Sequence, residues 1–171
     1  MAELADAAAD GREITTAAQA AGDGRVLAFG QLLGAAGRLE LILGRAIEEE
    51  CGISHSMFEV LLVLGRAGEP GLPMREIGRE RVLTTGGVTR LVDRMEAAGL
   101  VRRTQHPQDR RVQLVTLTEL GGQTCVRAAR VHADNVQRYF LDPLPAGERE
   151  RFVANLRMLS LSAGRSLPRL R

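Results

Sequence analysis

The amino-acid sequence predicts a mainly α-helical (α+β) protein with one β-hairpin among its helices. Only 3% of the 171 residues are aromatic and none is Trp, which disfavours an all-β sandwich built on aromatic pairs. Apolar residues instead recur at steps of three and four in several successive segments, as expected of amphipathic helices. This helical pattern is interrupted once, by two short strand-like runs with a charged turn between them.

The first 22 residues are rich in Ala, Asp and Gly and are expected to form an arm or a short extra helix. A helical pattern then begins at Asp23 and contains a long apolar run from Val26 to Ile47. Arg38 and Glu40 lie near the middle of this run, and each charge would cost about 2.5–3.5 kcal/mol in the centre of a bilayer. We therefore expect a soluble, cytoplasmic protein without a membrane partner.

Three further helices are predicted before the hairpin. Ser54 or Ser56 can cap the second helix, which is apolar nearly all round and should lie in the core. The segment 68–71 breaks it, and Pro73 suits the first turn of a short third helix. Thr84 can cap the fourth helix.

The fourth helix carries an apolar stripe and is expected to end at Gly99, in the position that commonly follows a helix. The stripe residues are Val88, Leu91, Val92 and Met95. Residues 100–104 and 112–117 are the two predicted strands. Thr118 can cap a long helix after them, and a last helix follows the Pro-containing segment 142–145.

A helix, a tight turn, a second helix and a two-stranded ribbon make a winged helix-turn-helix. Because the apolar stripe faces the core, the opposite face of the fourth helix is the candidate for the DNA major groove. Thr and Arg side chains can bond bases or phosphates, and Gly allows close approach of the backbone. The residues on or next to this face are Thr84, Thr85, Gly86, Thr89, Arg90, Asp93 and Arg94.

The residues around the hairpin also resemble a known family. The segment 89–103 reads TRLVDRMEAAGLVRR, followed by Asp109-Arg110-Arg111 and then by Leu117-Thr118-Glu119-Leu120-Gly121. This resembles the MarR family of bacterial transcriptional regulators, in which the wing reads D-x-R and a later motif reads L-T-x-x-G. The motifs match from about residue 54 to 121, and the flanking helices extend the resemblance to roughly residues 24–163.

The resemblance implies a homodimer that binds double-stranded DNA at a pseudo-palindromic operator, most often as a repressor. It implies a dimerisation helix at 23–53, the winged helix-turn-helix at 54–117 and C-terminal dimerisation helices at 118–171. In such proteins the second wing arginine, here Arg111, enters the minor groove, and the aspartate, here Asp109, orients it. Arg110 lies between them in the wing. A planar guanidinium suits a narrow, strongly negative minor groove.

Family members commonly release DNA when a small aromatic or phenolic effector binds. Glu59 and Arg94 resemble two positions of the urate-responsive branch, but the chain lacks the Trp of that site, so urate is not assigned. His132 on the long helix is expected at the dimer interface or in a pocket. Glu59 can alternatively pair with a nearby Arg.

No cofactor or metal is predicted. Cys51 follows three glutamates, which favour its neutral thiol, and Cys125 lies on the apolar side of the long helix. Both are interpreted as small hydrophobic residues, although a redox-responsive regulator using Cys51 or Cys125 is an alternative. Cys51 and His55 have helical spacing, but two ligands do not make a zinc site.

Charge and motifs separate the remaining classes of function. The net charge is +2, with −6 in residues 1–71 and +4 in each of 72–111 and 112–171, so the middle segment is a candidate surface for polyanions. No P-loop, G-x-S-x-G, H-E-x-x-H or dinucleotide motif is present, and we predict no enzyme. A winged-helix adaptor that binds proteins instead of DNA is the alternative.

Overall fold

The computed structural model describes residues 13–81, 85–106, 108–109 and 111–166. The helices are α1 Ala17–Gly22, α2 Gly24–Cys51, α3 His55–Ala67, α4 Met74–Arg81, α5 Thr85–Ala97, α6 Glu119–Val136 and α7 Arg149–Ser166. The strands are β1 Leu72–Pro73, β2 Val101–Gln105 and β3 Gln113–Leu117. A π-helical turn, Gln137–Leu141, and a 3₁₀ turn, Ala146–Glu148, connect α6 to α7.

The chain divides into two compact units, residues 1–44 and 45–171. In the first unit α1 begins with a capping box, in which the Thr16 hydroxyl accepts the Gln19 N–H and the Gln19 side chain accepts the Thr16 N–H. The Asp23 carboxylate accepts the N–H of Arg25 at 2.9 Å and so stabilises the start of α2. Hydrogen bonds from the Arg25 side chain lower the pKa of Asp23 to about 2.

Helix α2 is long and apolar enough, by length and composition, to cross a membrane. Arg38 and Glu40 nevertheless lie within it. Many of its large apolar side chains face solvent in the single chain, and those that are at least half exposed are Val26, Leu27, Phe29, Leu33 and Leu41. These side chains form an apolar surface on a helix that also carries charge.

The second unit is built around α3. The Ser54 hydroxyl accepts the N–H of Met57 at 3.3 Å, as the predicted cap requires. The helix buries residues on several sides, which confirms its predicted place in the core. The buried residues of α3 are Phe58, Val60, Leu61, Val63 and Leu64. All of them except Val63 share one cluster with Ile47 of α2, Ile77 of α4 and the stripe of α5.

Three antiparallel strands form a small sheet in the order β1-β3-β2. The long pairing joins Val101 to Leu117 and Gln105 to Gln113, and it forms the predicted hairpin. Strand β1 was not expected from the sequence. Pro73, predicted in the first turn of the third helix, instead lies opposite Leu114 in this edge strand, and the helix begins one residue later. Proline is tolerated there because an edge strand has one side without a ladder partner.

The junction between α5, the hairpin and α6 depends on two glycines. Gly99 has a φ of +70° and donates its N–H to the Glu96 carbonyl, and Leu100 donates its N–H to the Met95 carbonyl. Helix α5 therefore ends in the predicted glycine motif. The Thr118 hydroxyl accepts the N–H of Gly121 at 2.9 Å and donates to the Gly99 carbonyl at 2.7 Å. It therefore caps α6 and binds this helix to the end of α5.

Helices α3 and α6 meet through aromatic rings. The ring centroid of His132 lies 5.5 Å from that of His55 and 5.1 Å from that of Phe58. The Nδ1 atom of His132 is buried and makes no hydrogen bond with the described residues. Burial lowers the pKa of His132, the charge of His55 lowers it further, and the charge of Glu59 opposes the shift without reversing it.

Replacing Gly121 by Ala should destabilise the protein, because a Cβ at this position would collide with the backbone carbonyl of Leu100. Such overpacking typically costs about 1–3 kcal/mol. Gly122→Ala is the matched control, since a Cβ there meets nothing within 4 Å. The control should be neutral or stabilising by up to about 1 kcal/mol. Urea denaturation of both variants measures the difference, and equal stability of the two would contradict the close contact.

Protonation of His132 should destabilise the fold, because its folded-state pKa lies below the ordinary value of 6.5. The unfolded state binds the proton more readily, so this stability is present above pH 6.5 and is lost as the pH falls below it. His132→Phe keeps a ring beside Phe58 and cannot titrate. Its thermal unfolding temperature should therefore vary less than that of the wild type between about pH 7.5 and 5.5. If the unfolding temperature changed equally with pH in both proteins, protonation of His132 would not destabilise the fold.

Candidate nucleic-acid interface

Helix α5 has two distinct faces. Val88, Leu91, Val92 and Met95 are each at most 4% exposed, which confirms the predicted stripe. The other side leaves Thr89, Arg90 and Arg94 exposed. Packing of the stripe into the core therefore determines which side chains of α5 face solvent.

The start of α5 carries the glycine and threonines of the predicted DNA face. Gly86 is exposed, and a Cβ built on it would meet nothing within 4 Å, so this turn of the helix is open to a close neighbour. Thr85 is the first residue of the helix. Thr84, the predicted cap, lies outside the described residues.

Asp93 was predicted on the same face, and it is indeed 55% exposed, but it is held by an ion pair. The Arg103 guanidinium on β2 bonds the Asp93 carboxylate through one terminal nitrogen and the Glu96 carboxylate through the other. The backbone N–H of Arg103 also donates to Glu96 Oε1 at 3.1 Å. We call Asp93, Glu96 and Arg103 the helix–wing cluster.

The charges in this cluster stabilise one another. Partial burial lowers the pKa of Arg103, but the hydrogen bonds and charges of Asp93 and Glu96 raise it above its ordinary value overall. The Arg103 side chain is only 19% exposed. Sequence reasoning missed this residue, although the acidic pair three residues apart on α5 was a usable signal, since such residues share a helix face.

The loop between β2 and β3 is held by its own backbone and by one imidazole. His106 donates its N–H to the Val112 carbonyl at 2.9 Å, and Val112 donates to the Asp109 carbonyl at 2.9 Å. The Nδ1 atom of His106 accepts the N–H groups of Gln108 and Asp109 at 3.2 and 3.3 Å. These bonds connect the described residues on the two sides of the loop.

Arg111 extends from this turn into solvent, with a side chain that is 96% exposed. The Asp109 carboxylate accepts the Arg111 N–H at 3.0 Å and lies 3.8 Å from its Nε. The two residues of the predicted wing motif thus lie side by side, with the guanidinium available to a partner. Arg110 lies outside the described residues.

The residues predicted to bind an effector lie on different elements. Glu59 on α3 and His132 on α6 are half-buried and close enough for their charges to interact. His55 and Phe58 complete this group of side chains. Arg94 is exposed in the last turn of α5.

Cys51 and Cys125 have the environments of small apolar residues. Cys51 belongs to the buried core, and Cys125 packs against that core. Burial raises the pKa of the Cys125 thiol, which opposes the thiolate that redox chemistry needs. Within the described residues, no three His, Cys, Asp or Glu side chains are grouped as metal ligands.

Comparison with known sequences connects this interface to one family. The MarR family profile matches residues 52–112, which extend from the end of α2 to the end of the wing loop. The HTH-type transcriptional regulator PapX of Escherichia coli is 36% identical over 70 residues, which are 41% of this chain and 43% of PapX. The chain thus spans less than half the length of this curated relative.

Solved structures extend the likeness to most of the chain. Sco3205, a MarR family transcriptional regulator from Streptomyces coelicolor, was solved in complex with DNA. It is 26% identical, with a TM-score of 0.73 over 88% of this chain and 91% of its own. CouR from Rhodococcus jostii, solved with p-coumaroyl-CoA, is 27% identical, with a TM-score of 0.69 over 84% and 94% of the two chains. The chain therefore carries a MarR family domain at residues 52–112.

Proposed function

We propose that this protein is a transcriptional regulator that binds a specific site in double-stranded DNA as a homodimer. The observation that carries the proposal is the exposed face of α5 beside a wing whose Arg111 side chain is 96% exposed. The likeness to Sco3205, which was solved with DNA, supports it.

Each part of the interface has a separate task in this proposal. The N-terminal half of α5 lies in the major groove, where Thr85, Thr89 and Arg90 bond base edges or phosphates and Gly86 lets the backbone approach. Arg111 enters the minor groove, where its planar guanidinium meets a strong negative potential. Because phosphate contacts displace counterions, binding should weaken steeply as salt rises.

The homodimer is proposed to form through α2 and α7. Both helices carry large apolar side chains that face solvent in the single chain, which is unfavourable for an isolated surface. On α7 the most exposed of these are Met158, Leu159 and Leu161, each at least 57% exposed. A two-fold dimer presents two copies of α5, and the operator is then a pseudo-palindrome with half-sites about one helical turn apart.

We further propose that a small aromatic or phenolic effector regulates DNA binding and that the protein acts as a repressor. Glu59 and His132 are half-buried and offer a carboxylate and a ring, beside the buried ring of Phe58, which suits an aromatic group with a hydroxyl. CouR, solved with p-coumaroyl-CoA, supports this class of effector. The effect is measurable as release of labelled operator on titration with simple phenols.

Selection of sites from a random duplex library tests the proposed function. The wild type at about physiological salt should recover a pseudo-palindrome. Arg90→Ala should recover the same motif with one relaxed position in each half-site, at a cost of about 1–3 kcal/mol per lost base contact. Recovery of no motif by folded, dimeric protein would reject the regulator and favour a protein-binding adaptor.

Arg111→Ala should weaken binding to all DNA sequences and lower the slope of log affinity against log salt by about one for each protomer. The reason is that Arg111 contributes charge in the minor groove more than base readout. Arg111→Lys is the matched control, because it keeps the charge but not the planar guanidinium. Its salt slope should stay near that of the wild type. Fluorescence anisotropy over a salt series gives both slopes, and an unchanged slope in Arg111→Ala would remove the wing from the interface.

A further inference from the structure

The helix–wing cluster joins the two elements that are proposed to enter the two grooves of DNA. Asp93 and Glu96 belong to α5, and Arg103 belongs to β2. None of the three is needed to read bases in the proposed function. Their bonds nevertheless connect the helix that carries Arg90 with the hairpin that carries Arg111.

We infer that Arg103 is a positioning residue, which holds the wing at a set distance and angle from α5 so that Arg90 and Arg111 engage one half-site together. The inference rests on the proposed function, and it adds a structural reason why Arg90 and Arg111 would contact DNA together.

Three bonds meet at Arg103, and together they restrict both translation and rotation of the strand against the helix. Each terminal nitrogen of the guanidinium bonds a different carboxylate, and the backbone N–H bonds Glu96. A planar guanidinium held at two points has a defined orientation, unlike a single pair between flexible side chains. One exposed ion pair would contribute little to order or stability.

The restraint reaches Arg111 through the sheet. Arg103 lies opposite Val115 in the β2–β3 ladder, and all five residues of β2 are paired with β3. The turn that presents Arg111 is closed by the bond from His106 to Val112, directly beyond this ladder. Displacement of Arg103 relative to α5 would therefore displace both strands and Val112, which follows Arg111 in the chain.

Direct binding of Arg103 to phosphate is disfavoured by its surroundings. Its side chain is 19% exposed, against 96% for Arg111, and both terminal nitrogens already bond carboxylates. Its effect on DNA binding should come from holding two contacts in register. Two contacts held in register bind more tightly than two that move independently, because the second forms at a high effective concentration.

A double-mutant cycle on the selected operator tests this role. Introduced into the wild type, Arg103→Met should lower the affinity for the operator about tenfold. Introduced into the Arg111→Ala variant, it should lower the affinity less than about twofold, because no wing contact is left to position. Arg102→Met is the matched control, since it removes the same charge from the neighbouring residue of β2. Its effect should be the same in both backgrounds.

Arg103→Lys separates positioning from charge. Lysine restores the positive charge but not the two-point guanidinium contact, so it should recover only part of the lost affinity. Thermal unfolding of each variant checks that the fold is retained. If Arg103→Met does not fold, the same cycle with Arg103→Lys gives the result.

The outcomes distinguish this inference from the proposed function. The positioning role would be overturned if Arg103→Met lowered the affinity for the operator by the same factor in both backgrounds, or if Arg103→Lys restored the full affinity. Either result would leave the proposed regulator intact. No selected operator, or no effect of Arg111→Ala, would reject the proposed interface and this inference with it. Non-additive losses with partial recovery by lysine are the result expected.

Discussion

The structure of the interface depends on the burial of four side chains of α5. Val88, Leu91, Val92 and Met95 lie in the same apolar cluster as four of the buried residues of α3. Full burial of side chains of this kind is favourable by about 1.5–3 kcal/mol each, so rotation of α5 about its axis would be costly. The rotation of the helix is therefore set by the core, and the identity of its exposed residues follows from it.

The same core also fixes the hairpin, through a junction made of small residues. Gly99 allows the chain to reverse after α5, and Thr118 binds that reversal to the start of α6. Gly121 lies directly against the Leu100 carbonyl, where any side chain would force the strand away. The L-T-x-x-G motif thus has a physical basis in packing and capping, because its threonine caps α6 and its glycine permits close contact. It does not need to touch DNA to matter.

Much of this fold could be predicted from the sequence because its determinants are local. The Ser54 cap, the stripe of α5 and the Gly99 terminus each depend on residues within a few positions of one another. Strand β1 could not be predicted in this way, since Pro73 pairs with Leu114, far away in the chain. Arg103 was missed for the same reason, because its partners lie on another element. The DNA contacts of Arg90 and Arg111 stay predictions, since they depend on a partner outside the chain.

In the turn beside Arg111, a ring nitrogen of His106 accepts hydrogen bonds from the backbone. His106 Nδ1 receives two backbone N–H groups, so the neutral ring must carry its hydrogen on Nε2. The other neutral tautomer, with its hydrogen on Nδ1, could not accept either amide. The positions of the two amides beside Arg111 are therefore linked to the tautomer of one imidazole, so a single ring hydrogen contributes to the shape of the turn.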